Sequence, residues 1–271
     1  VRGLVNERLL RAVLEEPDDD APRLAYAAWC SAQTEPAEKA RGEFIRTQIR
    51  LAALGEDGPL ELRNDLGYEE QKLRRAYARV WAGELASLTD EYFFHRGFAA
   101  MAVLPARRFL EAGPRLFSLA PIRHLNMTDA AAAAAELFAS PLLLPIRSMG
   151  LDDCGLRDSD MRALTESSRL PALRWLSLAN NRLSLEGAEI LAASALGKRL
   201  IYANLHGNPV DPGELYSLDD GRVVGAWLPE EGLGLERRHG RLAWLHSSGD
   251  TIWNLVPDRF RLRERDASPR A

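Results

Sequence analysis

The stretch Leu173-Arg174-Trp175-Leu176-Ser177-Leu178-Ala179-Asn180-Asn181-Arg182-Leu183 fits L-x-x-L-x-L-x-x-N-x-L at every fixed position. The pattern has a mechanism. Side chains alternate along a short strand, so Leu176 and Leu178 point the same way, and Leu173 and Leu183 flank them on that apolar side. Asn181 falls where the chain turns off the strand, and its amide can satisfy backbone groups that the turn leaves unpaired. One such unit cannot bury its own apolar face, so the chain must carry neighbours in register with it.

The neighbours can be laid down from Phe98. The first apolar position is taken in turn by Phe98, Ile122, Ile146, Leu173 and Leu200, at intervals of 24, 24, 27 and 27 residues. The fourth reads Met101, Leu125, Met149, Leu176 and Ala203; the sixth reads Val103, Met127, Leu151, Leu178 and Leu205. The turn position holds Cys154, Asn181 and Asn208 in the last three units and is degenerate around Arg107 and Ala130 in the first two. Between strands, Asp158–Leu164 and Ser184–Leu191 carry apolar residues at helical spacing. This register resembles the leucine-rich repeats, and a full helix per repeat resembles their ribonuclease-inhibitor-like class. The resemblance implies a solenoid of about five repeats over residues 93–212, with parallel strands on one face and helices outside.

The first 92 residues are helical in pattern. Apolar spacing predicts helices over 4–16, from Pro22 and carrying Leu24, Tyr26, Ala27, Trp29 and Cys30, over 35–54 and over 69–88, with loop signals at 16–20 and 55–59. The motifs Pro22-Arg23-Leu24-Ala25-Tyr26-Ala27-Ala28-Trp29 and Arg41-Gly42-Glu43-Phe44-Ile45-Arg46-Thr47-Gln48 follow the acidic loop Asp18-Asp19-Asp20. Together they resemble the bacterial repeat-companion domain, a helical module that precedes leucine-rich repeats, over about residues 7–55. Ala28 stands where that family usually has Asp. The resemblance implies architecture and no catalytic chemistry. Asp18-Asp19-Asp20 lacks the Gly and distal Glu of a calcium loop and reads as helix capping.

After Pro212 the repeat stops. Strand patterns at 221–228, 234–237, 241–245 and 251–255, with turn signals between them, predict an antiparallel β-meander over 213–262. Trp227, Trp244 and Trp253 are expected to pack on the last repeat. The alternation of Arg259, Arg261, Arg263 and Arg265 with Phe260 and Leu262 fits an edge strand, and residues 263–271 read as disordered. The fold class is therefore α/β: helical domain, short parallel solenoid, β-meander.

The net charge of −4 and pI near 5.8 argue against a general nucleic-acid binder. Two cysteines, Cys30 and Cys154, make neither a disulfide framework nor a zinc site. No run approaches the roughly 18 apolar residues that span a bilayer. These features point to a cytoplasmic protein without cofactor or metal. No nucleophile elbow, zinc-protease, phosphate-loop or dinucleotide motif occurs, so the expectation is a protein without enzymatic activity.

Strand alternation predicts the outward row of each repeat: His124, Asn126 and Thr128; Ser148, Gly150 and Asp152; Trp175, Ser177 and Ala179; Tyr202, Asn204 and His206. Trp175 and Tyr202 fall side by side, and exposed aromatics are enriched at binding hot spots. The expected site for a protein or peptide partner is therefore Trp175, Tyr202, Asn204, His206, Asp152, Asn126, His124 and Ser177 on the concave strand face. Packing of the two aromatics against the meander or each other is the competing reading. Asp152 and Asp153, near Thr128 and Asp129, either meet a basic partner segment or form a solvated turn. A rival reading puts a small-ligand or enzymatic site where the helical domain meets the first repeats, around Arg46, Tyr77, Trp81, Tyr92 and His95. A third makes the meander a self-association edge. Oligomeric state is left open.

Overall fold

The computed structural model describes residues 2–55, 58–210, 215–217, 223–225, 235 and 237–245. The chain divides into two compact units, residues 1–102 with 114–122, and residues 103–113 with 123 onward.

The first unit begins with helices α1 (Arg2–Glu15), α2 (Asp20–Ser31), α3 (Pro36–Leu54), α4 (Leu60–Ala82) and α5 (Leu85–Leu88). Strand β1 (Glu91–His95) and the start of β2 (Phe98–Pro105) follow. Asp19 caps α2, accepting from Ala21 N at 2.9 Å. Asp20 accepts from Arg96 Nε at 2.6 Å, and Arg96 also donates to Asp18 O. The acidic loop is thus a cap and an anchor for the β1–β2 turn. That turn is Arg96-Gly97, both at positive φ, which suits a two-residue hairpin. Gly97 lies against Ile45, where any Cβ would collide.

The two motifs of the helical domain meet in this core. Val13, Ala27, Ile45 and Phe98 form one buried cluster, with Leu10, Tyr26 and Ile49 against it. Gly42 lets α3 approach α2, since a Cβ there would strike the Ala27 carbonyl and the Ser31 hydroxyl. Gln48 accepts from Gly97 N at 2.7 Å and donates to Glu70 at 2.9 Å. Arg41 is buried, with its guanidinium 5.1–5.3 Å from the ring centres of Trp81, Phe94 and Phe98. Ala28 is exposed.

Two boundaries differ from the sequence reading. Helix α4 starts at Leu60, nine residues before the expected 69; Leu60, Leu62 and Tyr68 are exposed, so that stretch shows no apolar stripe to read. Strand β1 was not foreseen, because its five residues abut a helix with no turn signal before them.

In the second unit the strands are β3 (His124–Thr128), β4 (Ser148–Gly150), β5 (Trp175–Ser177) and β6 (Tyr202–Asn204). Hydrogen bonding gives one sheet in the order β1-β2-β3-β4-β5-β6, and β3 through β6 are parallel. Helix α6 (Ala106–Leu119) lies between β2 and β3, and α7 (Ala134–Ala139) with short 3-10 turns between β3 and β4. Helix α8 (Asp158–Thr165) lies between β4 and β5; α9 (Leu185–Ala193) and α10 (Ala195–Arg199) lie between β5 and β6. The first, fourth and sixth positions of the register are all buried except Val103. Asp158 accepts from Ser184 N and Oγ at 2.9 and 2.6 Å, which ties the start of α8 to the cap of α9.

Asn181 makes the bonds expected of it, and more. Its Oδ1 accepts from Cys154 N and Leu156 N at 3.1 and 3.0 Å, while Nδ2 donates to the carbonyls of Leu151, Leu178 and Ala179. Asn208 repeats this one unit on, accepting from Leu183 N and donating to Leu178 and Leu205. Cys154 donates to Met127 O at 3.2 Å, and its sulfur accepts from the Ala130 backbone.

The C-terminal region differs from a meander in its described part. Strands β7 (Leu215–Ser217) and β8 (Val223–Gly225) pair antiparallel. The expected strands at 234–237 and 241–245 are instead helical at Leu235 and at 237–239, with a 3-10 turn at Ala243–Leu245. Anchoring explains the difference. Leu235, Leu242 and Trp244 are buried, and Trp244 donates its indole N–H to Gly197 O at 3.1 Å, which holds the 3-10 turn beside α10 and β6. Arg238 and His239 both pair with Glu189 of α9. Trp227, Trp253, the strand at 251–255, the alternating arginines from Arg259 and the tail at 263–271 lie outside the described residues.

Candidate partner-binding face

The strand face is built by register. Pairing aligns His124, Ser148, Trp175 and Tyr202 as one row and Asn126, Gly150, Ser177 and Asn204 as the next. Parallel bonding continues past the strands: Asp153 N donates to Ala179 O and Asn180 N to His206 O. A third row, Thr128, Asp152, Ala179 and His206, follows at the same intervals.

Trp175 and Tyr202 are thus neighbours on adjacent strands, and each is partly covered. Trp175 Nε1 is buried and has no acceptor among the described residues. Burial, with Asp152 nearby, pushes the Tyr202 phenol up to about 12. Ser177 and Asn204 sit below them in the middle row, each partly exposed, and Asn204 accepts from His206 N at 3.0 Å. Gly150 makes a notch in that row, since a Cβ there would stand 2.9 Å from Asn126 Oδ1.

Three of the expected outward residues are not free in the way alternation implies. His124 is buried at 6% exposure, so its side chain is covered rather than presented. Ala179 is equally covered, at the point where the chain turns toward Asn181. Asp152 is committed: it accepts from Ser177 Oγ at 2.6 Å and Ala179 N at 2.8 Å. Burial raises its pKa, and those two bonds oppose the rise. It therefore locks β4 to β5.

One column was missed from sequence. Asp129, Asp153, Asn180 and Gly207 all have φ between 54° and 70° and recur at 24, 27 and 27 residues, each just before the turn position. Left-handed backbone favours Gly, Asn and Asp, so the composition of the column was the available signal. Asn180 Nδ2 donates to Asp153 Oδ2 at 3.3 Å, and a Cβ on Gly207 would collide with Asn180 Oδ1.

The rival residues belong to the first unit, where Tyr77 meets Trp81 and both Trp81 and Tyr92 touch Phe94. Trp81 stacks with Phe44 and Tyr77 and donates to Ala37 O at 2.9 Å. Tyr92 packs edge-on to Phe94, and Arg46 donates to Ser31 Oγ. His95 is held down to about 4 by burial, then by Arg96 and Arg23. Among the described residues no group of three or more His, Cys, Asp or Glu is placed to hold a metal, and no helix is long and apolar enough to cross a membrane. No protein-family model matches the chain, and no curated protein is significantly similar to it in sequence.

Proposed function

We propose that this chain is a leucine-rich-repeat interaction module, headed by a repeat-companion helical domain, that binds a protein or peptide partner across the solvent side of β3–β6. In this reading it is a non-catalytic adaptor or accessory subunit of a co-encoded bacterial system in the cytoplasm. The repeat reading is supported by the spacing of 24–27 residues and by the matched amide networks of Asn181 and Asn208. The binding reading rests on one observation above all. Trp175 and Tyr202 stand in register on adjacent strands, each partly open to solvent. A large aromatic pair gains by meeting a partner that covers it. Ser177, Asn204, Asn126 and His206 supply polar contacts around the pair; Asp152 holds the strands that carry it.

The test is capture from native lysate with the wild type and with Trp175→Glu/Tyr202→Glu, after circular dichroism shows the variant folded. A partner held by the wild type and lost by the variant is the expected result. Partners retained equally by both would move the site off the strand face.

A further inference from the structure

The strand face has a chemical polarity along its strands. The aromatic row stands at the amino ends of β5 and β6. At the carboxyl ends of β3 and β4 stand Asp129 and Asp153, both exposed and both held at φ 55°. Among the twelve outward positions there is no Lys or Arg. Among the described residues no cation pairs with Asp129, Asp152 or Asp153. At the other ends of these strands Arg123 donates to Pro145 O, and Arg174 to Pro171 O and Leu173 O. Arg157 and Arg182 follow β4 and β5 at the carboxyl ends, joined to each other by a backbone bridge, and neither pairs with the three aspartates. The three aspartates also crowd one point: all three act on the buried Cys154 thiol, whose pKa is raised by burial first and by their charge in part. Like charges gathered with no counter-ion leave a field that an incoming cation relieves.

We propose that the occupant of the strand face is an extended, basic segment of a partner protein, its lysine or arginine side chains taken by Asp129 and Asp153 and its apolar side chains laid over Trp175 and Tyr202. This rests on the strand-face reading above and adds the chemistry of the partner. Asp153 lies five positions past Ser148, which pairs with Trp175, so the acidic and aromatic ends stand at most about 17 Å apart, the length of a full strand of that many steps. An extended segment spans that with basic and apolar residues about five positions apart.

The probes are two capped heptapeptides, Lys-Lys-Gly-Ser-Gly-Leu-Leu and its charge reverse, Glu-Glu-Gly-Ser-Gly-Leu-Leu. They are titrated into the full chain at low ionic strength and followed by amide and indole NMR, with the Trp175 indole peak assigned through Trp175→Phe. The lysine peptide is expected to bind at least about tenfold tighter than the glutamate peptide, with the difference falling as salt is added. It should shift the Trp175 indole peak. Asp129→Asn/Asp153→Asn, which keeps residues that tolerate left-handed backbone, should weaken the lysine peptide about tenfold and erase the preference. Equal binding of both peptides at Trp175, or an unchanged affinity in the Asn variant, overturns the basic segment and leaves the strand face standing. A lysine peptide that binds without moving Trp175 overturns the strand face itself. Binding by neither peptide overturns the proposal.

Discussion

Replacing Asn181 by Ala removes five hydrogen bonds at once, but their losses are unequal. Leu178 O still accepts from Asn208 Nδ2, and Ala179 O still accepts from Asp153 N. The exposed cost falls on Cys154 N and Leu156 N, whose acceptor was Asn181 Oδ1. Two buried donors left unpaired cost about 1.5 kcal/mol each, so the variant should lose about 3 kcal/mol, a large part of a typical domain's 5–15 kcal/mol. Asn181→Asp should be worse near neutral pH. It keeps the acceptor but turns a carboxylate, which has no proton to give, toward three carbonyls that Asn181 Nδ2 had served. Asn181→Cys should cost less than Ala, because Cys154 shows that a thiol can still reach a carbonyl in this position. Urea unfolding by circular dichroism, with the slope held constant across variants, gives the three values. An Asn181→Ala loss under about 1 kcal/mol, or an Asp variant as stable as Ala, would show that the amide network does not organise the turn.

Three further outcomes follow from the packing. His95 sits at about 4 rather than 6.5, so the folded ring is neutral where the unfolded ring titrates. Its contribution is complete above pH 6.5 and is lost as pH falls toward 4; His95→Gln should flatten the acid limb of stability over that window, and an identical slope would contradict this. Gly207→Ala, at φ 70° and against Asn180 Oδ1, should cost about 1–2 kcal/mol by thermal melting, whereas Asn180→Gly should stay within about half that. Arg41→Met, which replaces a buried guanidinium whose Nη1 has no partner, should change stability by less than about 1 kcal/mol or raise it; a loss above about 3 kcal/mol would mean that the three rings around Arg41 hold it far more strongly than such contacts usually do.

What was legible in the chain was whatever repeats. The pairing of Trp175 with Tyr202 follows from two Leu positions 27 residues apart, because alternation and a fixed period leave no freedom in register. The role of Asn181 followed from its place after the strand. Contacts between distant, unrepeated residues were not legible. Gln48 bonds Gly97 across 49 positions, and Gly42 is small because of Ser31 and Ala27; no local pattern carries either fact. Asp152 shows a subtler failure. Alternation predicted its direction correctly, but its carboxylate is taken by Ser177 and Ala179 of the next strand, and period alone does not report what an outward side chain meets. His124 fails the same way, outward by register and covered in fact.

The left-handed column joins the fold to the proposed site. Backbone at φ 54–70° asks for Gly, Asn or Asp, and any of the three meets that demand. Asn180 and Gly207 meet it without charge. Asp129 and Asp153 meet it with charge, at neighbouring positions and with no cation beside them among the described residues. Asp153 receives one bond, from Asn180 Nδ2, which an Asn carbonyl oxygen would accept as well. Conformation therefore accounts for a short polar side chain at these two positions but not for a carboxylate. The surplus is two negative charges, placed where the strands open to solvent and about a strand's length from the aromatic pair. That separation makes Asp→Asn the informative exchange: it leaves the backbone's requirement met and removes only the part that the fold does not need.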